Sequence, residues 1–177
     1  MKIFTLFLLF TIICGVSLNA QSFYEVSRDA QNGSKVLKGY VKKADMATDT
    51  AFAWFAENQK NYTAYAKAVE ALKKNTDVQF VVFMGTWCED SKFIIPKLFS
   101  IIEAAGYAEK GISLLGTDRT KTTTGNLAEA FNIISVPTIV VMKAGKEAGR
   151  IVEFGKFGMF EIDLSQILNS LNPPIGQ

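Results

Sequence analysis

The sequence predicts an α/β domain, a mixed central sheet with helices on both faces, preceded by a mostly helical N-terminal extension. Three observations carry that prediction. Val78 to Met84 is an almost unbroken apolar run, the pattern of a strand buried on both sides. From Asp77 onward, strand-like and helix-like stretches alternate. Further on, Thr138 to Met142 and Arg150 to Phe154 flank Ala144-Gly145 at the spacing of an antiparallel hairpin.

Taken in order, Ser34 to Val41 reads as a short extended segment, followed by helical stretches over Asp49 to Gln59 and Thr63 to Lys74. In the second of these, Tyr65, Val69 and Leu72 fall on one face. The Val78 to Met84 strand leads into a helix over Glu89 to Ala105, which Gly106 stops and which offers Ile94, Ile95, Leu98, Ile101 and Ile102 to the core. Ile112 to Leu115 is a second strand, and Asn126 to Asn132 a short helix with Leu127, Ala130 and Phe131 inward. After the hairpin, Met159 to Leu171 forms a closing helix with a stripe of Phe160, Leu164, Ile167, Leu168 and Leu171, ended by Pro173-Pro174.

The start of the chain has a different character. Lys2 precedes an uncharged run from Ile3 to Leu18, and Leu18-Asn19-Ala20 closes it with a small residue. This is the pattern of a secretory signal peptide cleaved after Ala20. An uncleaved anchor is the alternative, but 16 residues fall short of the roughly 20 that span a bilayer. Cys14 lies in the discarded segment, and Ile12-Ile13 before it do not suit a lipid-attachment motif. The organisation expected is a signal peptide at 1–20, the extension at 21–75, the α/β domain at 76–172 and a tail at 173–177. The product is exported, periplasmic or secreted, with no stable membrane span after cleavage.

Composition narrows the chemistry. Of 177 residues, 49% are apolar and 20% charged, which suits a globular domain, and a net charge of +2 gives no electrostatic footprint for nucleic acid. Histidine is absent, which excludes Cys-His and Ser-His-Asp machinery and argues against a zinc site. No metal and no cofactor is expected.

Three features then fall in sequence: Trp87-Cys88 after the buried strand, Pro96 eight residues later, and Ser135-Val136-Pro137-Thr138 before the next strand. With the hairpin and closing helix behind them, residues 76 to 172 resemble the thioredoxin superfamily. The string Gly85-Thr86-Trp87-Cys88-Glu89-Asp90-Ser91-Lys92, with Asp118-Arg119-Thr120-Lys121 and Gly149-Arg150-Ile151-Val152-Glu153, is similar to an exported bacterial branch that keeps only the first cysteine. The resemblance implies a thioredoxin-like fold, Cys88 as the attacking sulfur, and a cis Val136-Pro137 bond set against it. It also implies cysteine-containing proteins or a low-molecular-weight thiol as partners.

The departures are equally specific. Glu89-Asp90 stand where ordinary thioredoxins have Gly-Pro, Ser91 where they have the second cysteine, and Val82 where they bury an aspartate. A lone thiol can attack a disulfide but cannot release itself by forming an internal one.

Cys88 and Ser91 are accordingly the catalytic candidates; Trp87, Val136, Pro137 and Thr138 are the substrate-binding ones. A helix N-terminus favours a thiolate, and Ser91 can offer the sulfur a hydroxyl hydrogen bond. The acidic pair Glu89-Asp90 works against a second anion. Trp87 is expected as a partly exposed indole beside the sulfur, Thr86 on the same groove, and Pro96 as a bend in the helix. Arg119, Lys121 and Arg150 read as solvated charges, and Phe52, Trp54, Phe55, Tyr62 and Tyr65 as packing between extension and domain. Two functional readings stand: thiol-disulfide exchange through one cysteine, or a non-catalytic module binding polypeptides in the groove beside Pro137. The plainest reading of Cys88 itself is a small buried apolar residue left from a catalytic ancestor.

Overall fold

The computed structural model describes residues 23–172. The expected signal peptide, Cys14 and the Pro173-Pro174 stop lie outside the described residues. Six strands and six α-helices follow in the order β1 (Tyr24–Arg28), β2 (Lys35–Val41), α1 (Lys43–Ala47), α2 (Trp54–Lys60), α3 (Ala66–Lys73), β3 (Gln79–Met84), α4 (Glu89–Ala104), β4 (Ile112–Gly116), α5 (Leu127–Ala130), β5 (Thr138–Lys143), β6 (Lys146–Val152) and α6 (Phe160–Ser170). One mixed sheet of order β1-β2-β4-β3-β5-β6 holds all the strands. Only β3 and β4 run parallel, joined by α4; every other neighbouring pair is antiparallel.

Strand alternation divides the core in two. Phe80, Val82 and Met84 of β3, with Ile139 and Val141 of β5, point to the face covered by α3, α4 and α6. Phe83 and Val140 point to the opposite face, where they meet Leu115, Val36, Ala128 of α5, Ile133, Val136 and Trp87. Val82, standing where ordinary thioredoxins bury an aspartate, is fully enclosed among apolar neighbours.

The N-terminal segment carries α1, α2 and α3 after the extended stretch expected near Ser34 to Val41, but it adds a strand, β1, that the sequence reading did not include. β1 and β2 form a hairpin that pairs antiparallel onto β4, so the first strands complete the sheet of residues 76–172. β1 escaped notice because it is an edge strand with four of its five residues exposed, leaving no period-two apolar signal. The approach of β2 to β4 needs a glycine: a Cβ on Gly116 would lie 2.0 Å from the Leu37 carbonyl oxygen. The expected Asp49 to Gln59 helix is a 3-10 turn at Thr50–Phe52 followed by α2. At the hairpin of β5 and β6, Ala144 and Gly145 both take positive φ, 50° and 75°. Such a two-residue turn restarts the ladder at once, so β6 begins at Lys146 and not at Arg150.

Pro96 is buried inside α4, and the helix runs on through it. A proline has no N–H to give the carbonyl four residues before it. Here that carbonyl belongs to Lys92, and the Asn58 side-chain amide of α2 donates to it at 3.1 Å. The same Nδ2 donates to the Trp54 carbonyl at 2.9 Å. Helix α2 is thereby docked on α4 at the one backbone acceptor that Pro96 leaves free. Phe55 of α2 tilts against Phe99 of α4 at 5.7 Å, as the aromatic cluster was expected to pack.

Candidate thiol site at the head of helix α4

The chain leaves β3 through Gly85-Thr86-Trp87 and enters α4 with Cys88 as its N-cap. Cys88 has extended backbone angles, φ −95° and ψ 125°. Its N–H donates to the Gly85 carbonyl at 2.9 Å, and its carbonyl receives the Lys92 N–H at 3.0 Å. The residue is partly exposed and unpaired. Its thiol Sγ donates to the Val136 carbonyl at 3.3 Å, a weak bond of the kind sulfur makes. The Val136-Pro137 peptide is cis. The fold thus brings residues 88 and 136–137 together, 48 positions apart in the chain.

The other candidates lie differently from expectation. Ser91 is fully buried, and its Oγ accepts the Gly85 N–H at 3.1 Å. It faces inward because that N–H at the end of β3 needs an acceptor, and the first turn of α4 places position 91 over it. Trp87 is 8% exposed rather than a free contact surface. Its indole lies against Gly85, where a Cβ would come within 2.6 Å of the ring, and its Nε1 donates to the Thr117 carbonyl at 2.8 Å. Thr138 is buried with its hydroxyl donating to the Ser135 carbonyl at 2.8 Å. Thr86 is buried too: its hydroxyl donates to the Lys35 carbonyl at 2.8 Å and accepts the Leu37 N–H at 3.2 Å. Trp87, Val136, Pro137 and Thr138, the residues expected to bind substrate, are therefore all buried. Solvent meets Cys88 in part, Glu89, and the 82% exposed Ile134.

Arg119, read from sequence as a solvated charge, belongs to the site. Its Nε and Nη2 donate to the two carboxylate oxygens of Asp29 at 2.6 and 3.0 Å, and the guanidinium lies 4.6 Å over the Trp87 ring. The Asp29 side chain is only 4% exposed. The Arg119 bond, with backbone N–H donors from Asn32 and Gln31, outweighs burial and lowers its pKa from 3.8 to about 2. Arg119 in turn is raised above its usual range, chiefly by its bond to Asp29. In the same β1–β2 turn, Asn32 donates its side-chain amide to the Trp87 carbonyl at 3.1 Å. Next along the chain, Asp118 receives Lys38 at 2.7 Å. Nothing in the local sequence signals a pair 90 residues apart; the hint available was the Asp29-Ala30-Gln31-Asn32-Gly33 turn composition. Lys121 lies outside these contacts, and Arg150 pairs with Glu147 and the Phe131 carbonyl.

Among the described residues, no group of three or more His, Cys, Asp or Glu could hold a metal ion. No helix there is long and apolar enough to cross a membrane.

Comparison with known proteins agrees with this geometry. The thioredoxin family model matches residues 57–159, leaving β1, β2 and α1 outside the matched segment. Thioredoxin from Staphylococcus aureus is 35% identical over 83 residues, which are 46% of this chain and 74% of that protein. A crystal structure of a protein of unknown function from Pseudomonas aeruginosa aligns with a TM-score of 0.53 at 15% identity, over 72% of this chain and 90% of the other, and shares the fold. A thiol at the head of α4, packed against the Val136-Pro137 bend of a sheet in this order, on a chain whose sequence matches over more than half its length, makes this protein a member of the thioredoxin family.

Proposed function

We propose that this chain is an exported thioredoxin-family protein that carries out thiol-disulfide exchange through Cys88 alone. The observation that carries the reading is the partly exposed residue Cys88, its sulfur against the Val136 carbonyl beside Pro137, with a buried serine at the resolving position. The family supports redox thiol-disulfide chemistry in general. The uncharged Ile3 to Leu18 run supports export.

In the exchange, Cys88 loses its proton to solvent and the thiolate attacks one sulfur of a partner disulfide. The Cys88–partner S–S bond forms, the partner's own S–S bond breaks, and the departing sulfur takes up a proton as a thiol. Ser91 cannot attack the mixed disulfide, so an external thiolate does: it bonds to the partner's sulfur and returns Cys88 as a thiol. If that second thiol belongs to the same partner, the cycle rearranges a disulfide without net redox change. If it is a small thiol, the partner is left in a mixed disulfide with it, and a second small thiol cleaves that bond, so the partner ends reduced and the two small thiols end joined as a disulfide. Trp87 and Arg119 hold the loop from which Cys88 projects.

Mass spectrometry of the folded protein mixed with glutathione disulfide tests this reading: one glutathione adduct on Cys88 is expected, cleared by added thiol. Absence of an adduct on folded protein, with one forming after unfolding, would leave the non-catalytic binding module. In that case Cys88→Ala keeps partner capture intact. Export is tested by the mature N-terminus, expected at Gln21.

A further inference from the structure

The peptide unit that joins Trp87 to Cys88 is held at both of its polar atoms. Its N–H donates to the Gly85 carbonyl at 2.9 Å. Its carbonyl oxygen, on Trp87, accepts from the Asn32 side-chain amide at 3.1 Å, across 55 positions of sequence. On the far side of the Cys88 Cα, the residue's own carbonyl receives the Lys92 N–H at 3.0 Å and so belongs to α4. With the planar peptide before Cys88 and the one after it both held, its φ and ψ are set, and with them the direction of its Cα–Cβ bond. Only χ1 is left, and there the Val136 carbonyl engages the sulfur at 3.3 Å.

Asn32 stands in the turn between β1 and β2. Its N–H donates to Asp29 Oδ1 at 2.9 Å, and its own Oδ1 accepts the Ser34 N–H at 3.0 Å. Because Oδ1 meets a backbone donor, the two ends of one planar amide serve two partners, and Nδ2 is the end that faces Trp87. The turn is itself anchored: the Asp29 side chain, 4% exposed, accepts from the Gln31 and Asn32 N–H groups and from the Arg119 guanidinium. This hairpin lies outside residues 57–159, the segment that the thioredoxin family model matches. Its hold on the thiol loop is therefore an addition of this chain to the part it shares with that family.

We infer that Asn32 is a positioning residue for the exchange reaction: through the Trp87 carbonyl it sets the direction in which Cys88 presents its sulfur. The inference rests on the exchange reading above. A thiolate attacks a disulfide along the S–S axis, with attacking, central and leaving sulfurs in line, so a loop free to rotate the peptide before Cys88 spends part of its time aimed elsewhere. Loss of one hydrogen bond of ordinary net strength lowers the weight of the aimed loop about two- to tenfold.

The test compares two rates on Cys88 at one pH: mixed-disulfide formation with bis(2-hydroxyethyl) disulfide, which needs the in-line approach, and alkylation by iodoacetamide, which is small enough to come from any open side. Both reagents are uncharged, and the ratio of the rates cancels the thiolate fraction, so a change in the thiol's ionisation drops out. Asn32→Asp keeps an acceptor for the Ser34 N–H but has no donor for the Trp87 carbonyl; Asn32→Ala lacks both. In each the ratio of exchange to alkylation is expected to fall about fivefold, at a urea midpoint that leaves the protein folded in buffer. Gln31→Ala, at a position that enters the turn through its backbone N–H, should keep the parent ratio. An unchanged ratio in both Asn32 variants would overturn the inference and leave exchange standing, as would an equal fall in Gln31→Ala, which would mark a general loosening of the turn. A fall in Asn32→Asp alone would assign the effect to the new charge, and in Asn32→Ala alone to the Ser34 bond; either overturns it. Absence of any mixed disulfide on the folded parent would overturn the exchange reading as well.

Discussion

On one face of the sheet, Phe80, Val82, Met84, Ile139 and Val141 meet α3, α4 and α6 in a broad apolar core. On the other, Phe83, Leu115 and Val140 meet the four-residue α5 and the loops that carry Trp87 and Val136. The first face is closed by side-chain packing. The second is closed largely by polar clips: Thr86 to β2, Trp87 Nε1 to Thr117, Asn32 to the Trp87 carbonyl, and Arg119 to Asp29. Cys88 stands where the two meet, capping a helix of the thick face and touching the loops of the thin one. The contrast explains how the Cys88 thiol is held in place without being buried. Packing fixes the helix, and hydrogen bonds fix the loop around its end.

The largest break in that comparison is expected on the thick face. Leu98 is fully buried in α4 between the sheet and its neighbours, and Leu98→Ala removes that contact and leaves a cavity. The expected loss is about 2–5 kcal/mol, read as a lower urea midpoint with unchanged slope. Because α4 carries the thiol, Cys88 labelling should rise only in parallel with global unfolding.

A thin-face substitution should behave otherwise. Thr86→Val keeps the shape but deprives the Leu37 N–H of its acceptor and the Lys35 carbonyl of its donor. The expected cost is about 1–3 kcal/mol. Its signature is Cys88 alkylation that accelerates well below the urea midpoint, because the β3–α4 loop separates from β2 before the core opens. Alkylation that tracks global unfolding would show the two faces to be one cooperative unit.

The same contrast governs what could be read from sequence. The thick face was legible because its helices repeat apolar residues on one side: the Ile94, Ile95, Leu98, Ile101 and Ile102 set is buried as the period requires. Cys88, Pro137 and their proximity were legible through the family motifs. The thin face was not, since Asp29, Asn32, Thr86 and Arg119 are polar residues with no periodicity, brought together only by strand order. Trp87 was misread for a related reason, because an indole beside a reactive sulfur is ordinarily a contact surface, and only the bare backbone of Gly85 and the Thr117 carbonyl turn it inward. Ser91 was assigned to the sulfur when the nearer unmet need was the Gly85 N–H.

The smallest and most local effect expected is the acid sensitivity of the Asp29–Arg119 clip. A carboxylate whose pKa falls from 3.8 unfolded to about 2 folded binds its proton more weakly in the native state. Its stabilising contribution is therefore complete above about pH 4 and is lost as pH falls toward 2. The effect is modest because the Arg119 side chain is 35% exposed and water screens the pair. With Trp54 replaced by Phe, Trp87 is the remaining tryptophan, and the guanidinium over its ring makes its fluorescence a reporter of the clip. Between pH 4 and 2 that signal should change in the parent and stay flat in Asp29→Asn. Arg119→Lys should fall between them, since lysine keeps the charge but not the two-pronged bond to Asp29. An identical acid transition in all three proteins would place the thin face's acid sensitivity elsewhere, such as at the Asp118–Lys38 pair that ties the same loop to β2.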